Sequence, residues 1–167
     1  MAWKLMLASA VAMAARSVPY AVAKPAGKSF IAHASDLLPL KSTPINSDWI
    51  ISGNPQARTA EHSRGHDEAS LTAIWDCTAG EFRWFFGWDE TVMILEGEVH
   101  ITAEDGTERT LCAGDVAFFA GGTWASWRVD SYVRKVAFLR KPFPKPLAIA
   151  YRLRNLLRNN GNQGIAA

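Results

Sequence analysis

The stretch from Trp84 to Gly97 constrains the fold of this chain more than any other part of the sequence. In it, Glu90 is followed by Thr91, by an uninterrupted apolar run over residues 92–95, and by Gly97 at a turn. A strand that is apolar on both faces is typical of a sheet covered on both sides. Burying a carboxylate without a partner is costly. The stretch therefore predicts a buried strand over residues 90–95, in which the one charged residue, Glu90, has a structural or functional role.

Short strand candidates recur around this stretch at the spacing of a β-sandwich or β-barrel. They are residues 71–76, 82–86, 90–95, 98–103, 109–112, 116–119, 124–129 and 132–139, with an edge strand at 48–52. Residues 56–69 are polar and predict a loop, and Asp105-Gly106 is a hairpin-turn signal. Since no helical period appears between residues 48 and 139, the sequence predicts an all-β domain.

After the last strand, the sequence predicts one helix. Ile149, Leu153, Leu156 and Leu157 recur at helical spacing and form a single apolar stripe, while arginines occupy the other faces. We expect this helix to dock on the outside of the β domain or across a dimer. A basic amphipathic helix can also lie on a membrane surface, and that alternative stays open.

The chain divides into four predicted segments. Residues 1–23 contain an apolar run over residues 5–15 and a candidate cleavage site of small residues at 21–23, as in a secretory signal peptide. The alternative is a mis-started N-terminus with Met13 as the true start. We favour a cytoplasmic protein, with export to the periplasm as the alternative. The other segments are an extended arm over 24–47, the β domain over 48–140, and a basic helix and tail over 141–167.

Charge is distributed unevenly along the chain, although its net value is only +2. Acidic residues concentrate between Glu61 and Asp115, and basic residues predominate from Arg128 onwards. This asymmetry predicts pairing within the chain or between subunits, or a tail that touches an anionic surface. We expect no nucleic-acid partner, because no binding motif accompanies the charge. No stretch reaches the roughly 20 apolar residues that a membrane-spanning helix needs.

The cysteines and most histidines give no site. Cys77 and Cys112 are too few for a disulfide scaffold and match no zinc spacing, so we interpret both as small buried residues. His62 and His66 fall in the predicted polar loop; a surface metal there is possible, but their spacing matches no metal pattern and we interpret the loop as solvated. His100 is expected to be exposed on its strand.

Two motifs resemble those of the cupin family. The first runs from Glu90 to Gly97 and the second from Gly114 to Gly122. The further matches are Trp84, Phe86, Thr91, Leu95-Glu96, Asp115, Trp127 and Arg134-Lys135. With them, residues 70–140 are similar to the small cupins related to ureidoglycine aminohydrolase. The resemblance implies an all-β jelly-roll (double-stranded β-helix) barrel of the cupin type, with an N-terminal arm and a C-terminal helix, that holds one small ligand and forms a homodimer.

The positions at which metal-binding cupins place histidines carry other residues here. Trp84 and Phe86 stand six and four residues before Glu90, and Ala125 stands three residues after the second motif. Transition metals normally need three or four protein donors, and a single carboxylate remains. We therefore predict no cofactor and no tightly bound metal.

Lys135 is the partner that we expect for Glu90. It alternates with apolar residues on the last strand, whereas Arg134 occupies the other face. Pattern alone does not say which cation points inward, and the family resemblance favours Lys135. A Glu90–Lys135 pair can act as a general acid and base or clamp a polar ligand. The alternative is a structural ion pair that sets the strand register.

The predicted pocket surrounds this pair with apolar walls. Trp84 and Phe86 share one strand face, and Ala125 and Trp127 share another. If the barrel forms, these faces converge with that of Glu90, and we interpret the remaining tryptophans as packing.

Three functions fit this pocket. The first is a metal-independent cupin that binds a small polar metabolite. The second is a lyase, isomerase or amidohydrolase that uses Glu90 and Lys135 for catalysis. The third is a non-catalytic structural or interaction module with a degenerate pocket. We rank the first two ahead of the third.

Overall fold

The computed structural model describes residue 28 and residues 30–158, with side chains as far as residue 156. The predictions for residues 1–23 and for the end of the tail, residues 159–167, lie outside the described residues. The chain separates into two units, residues 1–31 and residues 32–167. Of the first unit, the described residues have no regular secondary structure. The following description concerns the second unit.

Strands dominate the second unit. In chain order they are β1 (Lys41–Ser42), β2 (Ile50–Gly53), β3 (Ala57–Arg64), β4 (Ser70–Phe86), β5 (Asp89–Ala103), β6 (Glu108–Cys112), β7 (Val116–Phe119) and β8 (Thr123–Arg140). Two short 3-10 turns, Ser35–Leu37 and Ser47–Trp49, precede β1 and β2. Helix α1 (Lys145–Arg158) follows β8.

The strands form one antiparallel sheet that wraps into a jelly-roll barrel. The order is β1-β3-β4-β8-β5-β6, with β2 paired to β4 and β7 paired to β5. The register of β4 shifts between Thr78 and Gly80, and that of β5 shifts on both sides of Gly97. Such bulges bend a strand, so each half of a long strand can join a different part of the sheet. The predicted all-β cupin-type barrel with a C-terminal helix is confirmed.

Three long strands replace six predicted short ones. Breaks were predicted near residues 77–81, 96–97 and 130–131, yet β4, β5 and β8 run through all of them. Gly and Asp favour turns locally, but pairing with neighbouring strands on both sides keeps the backbone extended. The loop predicted over residues 56–69 was also wrong. Residues 57–64 form β3, in which Ala57 and Ala60 are buried while Arg58, Glu61 and Arg64 are exposed.

The outer face of β5 and β7 is less covered than the sequence predicts. Within this chain, Val116 and Phe118 are each 63% exposed and Met93 is 38% exposed. The expectation that β5 is covered on both faces is therefore wrong for the single chain, and β7 is likewise exposed on this side. Alternation explains the difference, since Val92 and Ile94 fill the barrel interior while the next residues point outward.

Helix α1 does not dock its apolar stripe on the barrel. Leu147, Ile149, Leu153 and Leu156 are all exposed, and the Tyr151 ring lies 5.7 Å from that of Phe143 just before the helix. The expectation of a helix packed on the barrel of the same chain is therefore not met. No helix among the described residues is long and apolar enough to cross a membrane.

The two cysteines have different environments, which corrects the expectation that both are buried. Cys77 is fully buried in the core, and Cys112 is exposed. Burial raises the pKa of the Cys77 thiol to about 12, and the neighbouring charge of Asp76 adds to this increase.

We therefore expect the two thiols to react at very different rates. At about pH 8, a thiol-reactive chromogenic disulfide should modify Cys112 rapidly, because its thiol is exposed to the reagent. Cys77 should react only after unfolding in guanidinium chloride. Titration of both thiols in the native protein at one rate would contradict this expectation.

Candidate functional site

Glu90 and Lys135 form an ion pair inside the barrel. The distance from Lys135 Nζ to Glu90 Oε1 is 2.6 Å, and the side chains are 5% exposed for Lys135 and 8% for Glu90. Strands β5 and β8 are neighbours, with Glu90 opposite Leu139 and Ile94 opposite Lys135. The two charged residues therefore sit four positions apart along adjacent strands, and both face inward.

The orientation of the two cations on β8 answers a question that the sequence leaves open. Lys135 points into the barrel, where it meets Glu90. Arg134 lies on the opposite face, where its guanidinium donates a hydrogen bond to the backbone carbonyl of Ser35 in the arm. Strand alternation permits both arrangements; packing around the ammonium group decides between them.

Two indole rings hold the ammonium group of Lys135. Its Nζ lies 4.5 Å from the ring centroid of Trp127 and 5.0 Å from that of Trp75. An aromatic face attracts a cation, most strongly where water is excluded. The rings and Glu90 together offset part of the cost of removing the charge from water.

The same two indoles carry hydrogen-bond donors without partners. The Nε1 atoms of Trp75 and Trp127 are buried and have no hydrogen-bond acceptor among the described residues. An indole N–H can only donate, and a buried donor left unpaired costs about 1–3 kcal/mol. Lys135 has three N–H donors, of which one is used by Glu90. Donors therefore outnumber acceptors around this ion pair.

Aromatic rings surround the pair and extend toward the surface. Trp84, which is partly exposed, lies 6.1 Å from Trp75. Phe86 stacks on Phe119 with centroids 4.3 Å apart, and Phe119 lies 5.7 Å from Trp127. Trp84 and Phe86 are thus linked to the Glu90–Lys135 pair through other rings.

Ala125 is the smallest member of the predicted pocket. It lies opposite Trp84 in the β4–β8 register, and its side chain is buried. Trp127 is the predicted pocket residue that contacts Lys135 directly. All six predicted pocket residues thus face the barrel interior, and Lys135 contacts both Glu90 and Trp127.

Sequence reasoning assigned Trp75 to packing and missed its contact with Lys135. These two residues are register partners on β4 and β8. Nothing in the local pattern distinguishes Trp75 from the other tryptophans. Trp75 and Lys135 are 60 positions apart in the sequence, and the pairing of β4 with β8 brings the indole ring of Trp75 to the ammonium group.

The donor set inside the barrel does not fit the metal of the metal-binding cupins. Trp84, Phe86 and Ala125 offer no ligand atom at the positions where those cupins have imidazoles. The carboxylate of Glu90 is already bonded to Lys135. A divalent cation there would also face the positive charge of the ammonium group.

A second buried charge lies on the outside of the barrel wall. Asp76 is buried, accepts two hydrogen bonds from Arg58 at 3.0 and 2.6 Å, and accepts one from the Tyr132 hydroxyl at 3.0 Å. Burial, and then the bond to Asp76, raise the pKa of Tyr132. This network ties β3, β4 and β8 together. The sequence offers no signal for it, because Asp76 looks like the polar end of a strand.

Two cavities lie on the outer surface of the barrel, and neither is lined by Glu90 or Lys135. The larger, about 300 Å³, includes His100 and Arg128 in its lining.

The ring nitrogens of His100 are hydrogen-bonded to Thr110 at 2.7 Å and to Asp130 at 3.0 Å. His100 is thus partly buried rather than exposed. With Glu98 and Asp130 it brings three potential ligand atoms within 4.8 Å of one another, but internal hydrogen bonds already engage the imidazole.

Comparison with known proteins gives a family match and several similar structures. Residues 64–137 match the model described as an EutQ-like cupin domain. A protein of unknown function from Pseudomonas syringae pv. tomato has a TM-score of 0.57 and 28% identity, and the similarity covers 62% of this chain and 45% of that one. A predicted oxalate decarboxylase from Thermotoga maritima has a TM-score of 0.53 and 16% identity, over 68% of this chain and 99% of that one.

The EutQ-like match does not extend to the narrower ureidoglycine-aminohydrolase subgroup. A putative ethanolamine utilization protein Q from Salmonella typhimurium has a TM-score of 0.48 and 18% identity, over 62% of this chain and 96% of that one. No curated protein matches the chain. The chain spans less than half the length of the Pseudomonas protein.

Proposed function

We propose that this chain, whose residues 64–137 match the model of an EutQ-like cupin domain, is a cupin that binds a small polar ligand beside Glu90 and Lys135. The observation that carries the proposal is the excess of donors at this pair. Trp75 and Trp127 each present a buried N–H without an acceptor, next to an ammonium group with one bond to Glu90. A ligand with carbonyl or carboxylate oxygens would satisfy these donors.

The proposed binding is independent of a metal ion. In this proposal, the positive charge that a metal supplies in other cupins comes from the ammonium group of Lys135. Glu90 orients that ammonium group through the 2.6 Å hydrogen bond between them. The aromatic rings exclude water, which strengthens any hydrogen bond to the ligand.

The catalytic alternative uses the same two residues as general acid and base. It requires a ligand whose reacting proton comes within hydrogen-bond distance of Glu90 or Lys135. The resemblance to ureidoglycine aminohydrolase supports this catalytic alternative. Metal-dependent chemistry of that kind is disfavoured, because Trp84, Phe86 and Ala125 replace the histidines that would bind the metal. A purely structural ion pair is the remaining alternative, and the following experiment separates it from ligand binding.

Ligand binding should be detectable as thermal stabilisation that depends on the indole donors. We would screen small carboxylates, amino acids and ureido compounds against the wild-type protein by differential scanning fluorimetry. A ligand at about 100 times its Kd should add roughly 2.7 kcal/mol of stability. Trp127→Phe and Trp75→Phe keep the rings but remove the N–H groups. Each should weaken binding of that ligand by about 5–10-fold, the effect of one hydrogen bond.

The unliganded variants provide an internal control. Because a phenyl ring is smaller than the buried indole it replaces, both variants should melt below the wild-type temperature in the absence of ligand, so the comparison between variants is made on ligand affinity. Trp124→Phe is the matched control, because the Trp124 ring contacts Trp49 and Phe85 instead of Lys135. This substitution should leave the affinity for the ligand unchanged. If no compound raises Tm, or if the shift is the same in all variants and in Glu90→Gln, the proposed site does not bind a ligand.

A further inference from the structure

Helix α1 has one face that turns toward the chain before it. On this face, the ring of Tyr151 contacts that of Phe143, with the centroids 5.7 Å apart. Ala148 lies one turn earlier on the same side of the helix and is partly buried, whereas every other side chain over residues 145–156 is exposed. The contacts that α1 makes within the chain are therefore few and lie on the side of Ala148 and Tyr151.

The far side of the helix carries three large apolar residues. Ile149, Leu153 and Leu156 lie about 140–160° from Tyr151 around the helix axis, and each is more than half exposed. These three residues form the exposed stripe. A helix of 14 residues is only marginally stable in water without packing. The exposed stripe therefore indicates a partner that covers this side of α1.

Basic residues border the exposed stripe on both sides. Lys145 and Arg152 lie within about 40° of Leu156 around the helix, and Arg154 lies about 100° beyond Leu153. These three residues are the flanking cations. None of them forms an ion pair with a residue that the structure describes. From residue 141 to the end of the sequence, five residues are basic and none is acidic. The partner should therefore be apolar at its centre and negatively charged around it.

An anionic lipid surface has this combination of properties. The apolar side of an interfacial helix enters the boundary between headgroups and acyl chains, and long basic side chains at its edges reach the phosphates. A second copy of α1 fits less well. Two exposed stripes packed together would bring the flanking cations of both copies close to one another, and like charges repel.

We propose that helix α1 binds the surface of an anionic phospholipid bilayer. In this arrangement the exposed stripe is inserted at the level of the headgroups, and the flanking cations pair with lipid phosphates. The helix lies in the plane of the surface, and the barrel remains in water on the side of Ala148 and Tyr151. The ligand is a lipid assembly and not a free phosphate, because a free anion would leave the exposed stripe in water. This site is separate from the interior pair of Glu90 and Lys135 and does not depend on ligand binding there.

Co-sedimentation of the full chain with large phospholipid vesicles tests the proposal. The wild-type protein should bind phosphatidylcholine vesicles that contain about 30 mol% phosphatidylglycerol at least 25-fold more tightly than pure phosphatidylcholine, since each cation near an anionic surface contributes about 5-fold. Raising NaCl to about 0.5 M should remove most of this difference, because salt screens the attraction. Equal binding to both kinds of vesicle, or no binding to either, would overturn the proposal.

Two substitutions of equally exposed residues locate the contact. Leu153, in the exposed stripe, is 55% exposed, and Ile51, on β2, is 53% exposed. Leu153→Glu should weaken binding to the anionic vesicles at least about 10-fold, because it removes an apolar side chain from the lipid and adds a negative charge. Ile51→Glu adds the same charge outside the helix and should leave the binding unchanged. Equal effects of the two substitutions would place the contact outside α1.

A second pair of variants tests the flanking cations. Arg152→Gln/Arg154→Gln should weaken binding to the anionic vesicles about 25-fold, whereas Arg152→Lys/Arg154→Lys keeps both charges and should bind like the wild type. Near-UV circular dichroism of the tryptophans checks that the barrel is intact in every variant. Sedimentation equilibrium identifies the rival partner. If Leu153→Glu dissociates an oligomer and leaves vesicle binding unchanged, a second copy covers the stripe and the proposal is wrong.

Discussion

Lys135→Met is expected to destabilise the fold by about 3–5 kcal/mol, the usual cost of removing one partner of a buried ion pair. The substitution keeps an unbranched side chain of similar length but leaves Glu90 buried without its cation. It also removes the charge that lies over the rings of Trp75 and Trp127. Urea unfolding at a fixed chain concentration measures the effect as a lower midpoint with an unchanged slope.

The double variant Glu90→Gln/Lys135→Met shows whether the loss comes from the stranded charge. Because no charge remains in the barrel, it should recover most of the lost stability, and the double-mutant cycle should give a coupling energy of a few kcal/mol. Arg64→Met breaks the exposed pair with Glu61 and should cost no more than about 1 kcal/mol. Equal costs for Lys135→Met and Arg64→Met would show that the interior pair contributes no more than a surface pair.

Gly97→Ala should destabilise the protein by about 4 kcal/mol or more, in the range of exceptional single substitutions. Gly97 has a φ of +72°, and it lies where β5 bends against β8. An added Cβ would overlap the carbonyl oxygen of Tyr132 and lie 2.9 Å from its carbonyl carbon. Both are backbone atoms of the strand that carries Lys135, so relief requires the two strands of the site to separate.

Gly106→Ala is the matched control for this prediction. Gly106 has a φ of +85°, and a Cβ there would meet nothing within 4 Å. It therefore carries the backbone cost of the left-handed region alone, about 1–2 kcal/mol. Thermal and urea unfolding of both variants isolate the steric part of the Gly97 effect. If the two variants lose the same stability, the close approach of β5 and β8 at Gly97 is not important for the fold.

Local pattern was sufficient to predict the fold class and the composition of the barrel interior. Short apolar stretches with β-branched and aromatic residues predicted strands, and alternation correctly predicted which side chains of β5 and β8 share a face. Glu90 could be recognised as the charged member of an apolar face, whereas the pattern left both Arg134 and Lys135 as its partner and the family resemblance favoured Lys135. A carboxylate and an amine on such faces of neighbouring strands have few other partners, since unpaired burial is costly.

Tertiary structure decided everything that depends on partners distant in the sequence. Strand β3 is polar and forms because β4 offers it hydrogen bonds, and β4, β5 and β8 continue through turn-like residues because both neighbours hold them extended. Trp75 reaches Lys135 only through the β4–β8 register. The sequence by itself thus determined which residues avoid water, because hydrophobicity and alternation are local properties. The identity of what covers each face depends on strand pairing and packing, which are properties of the whole chain.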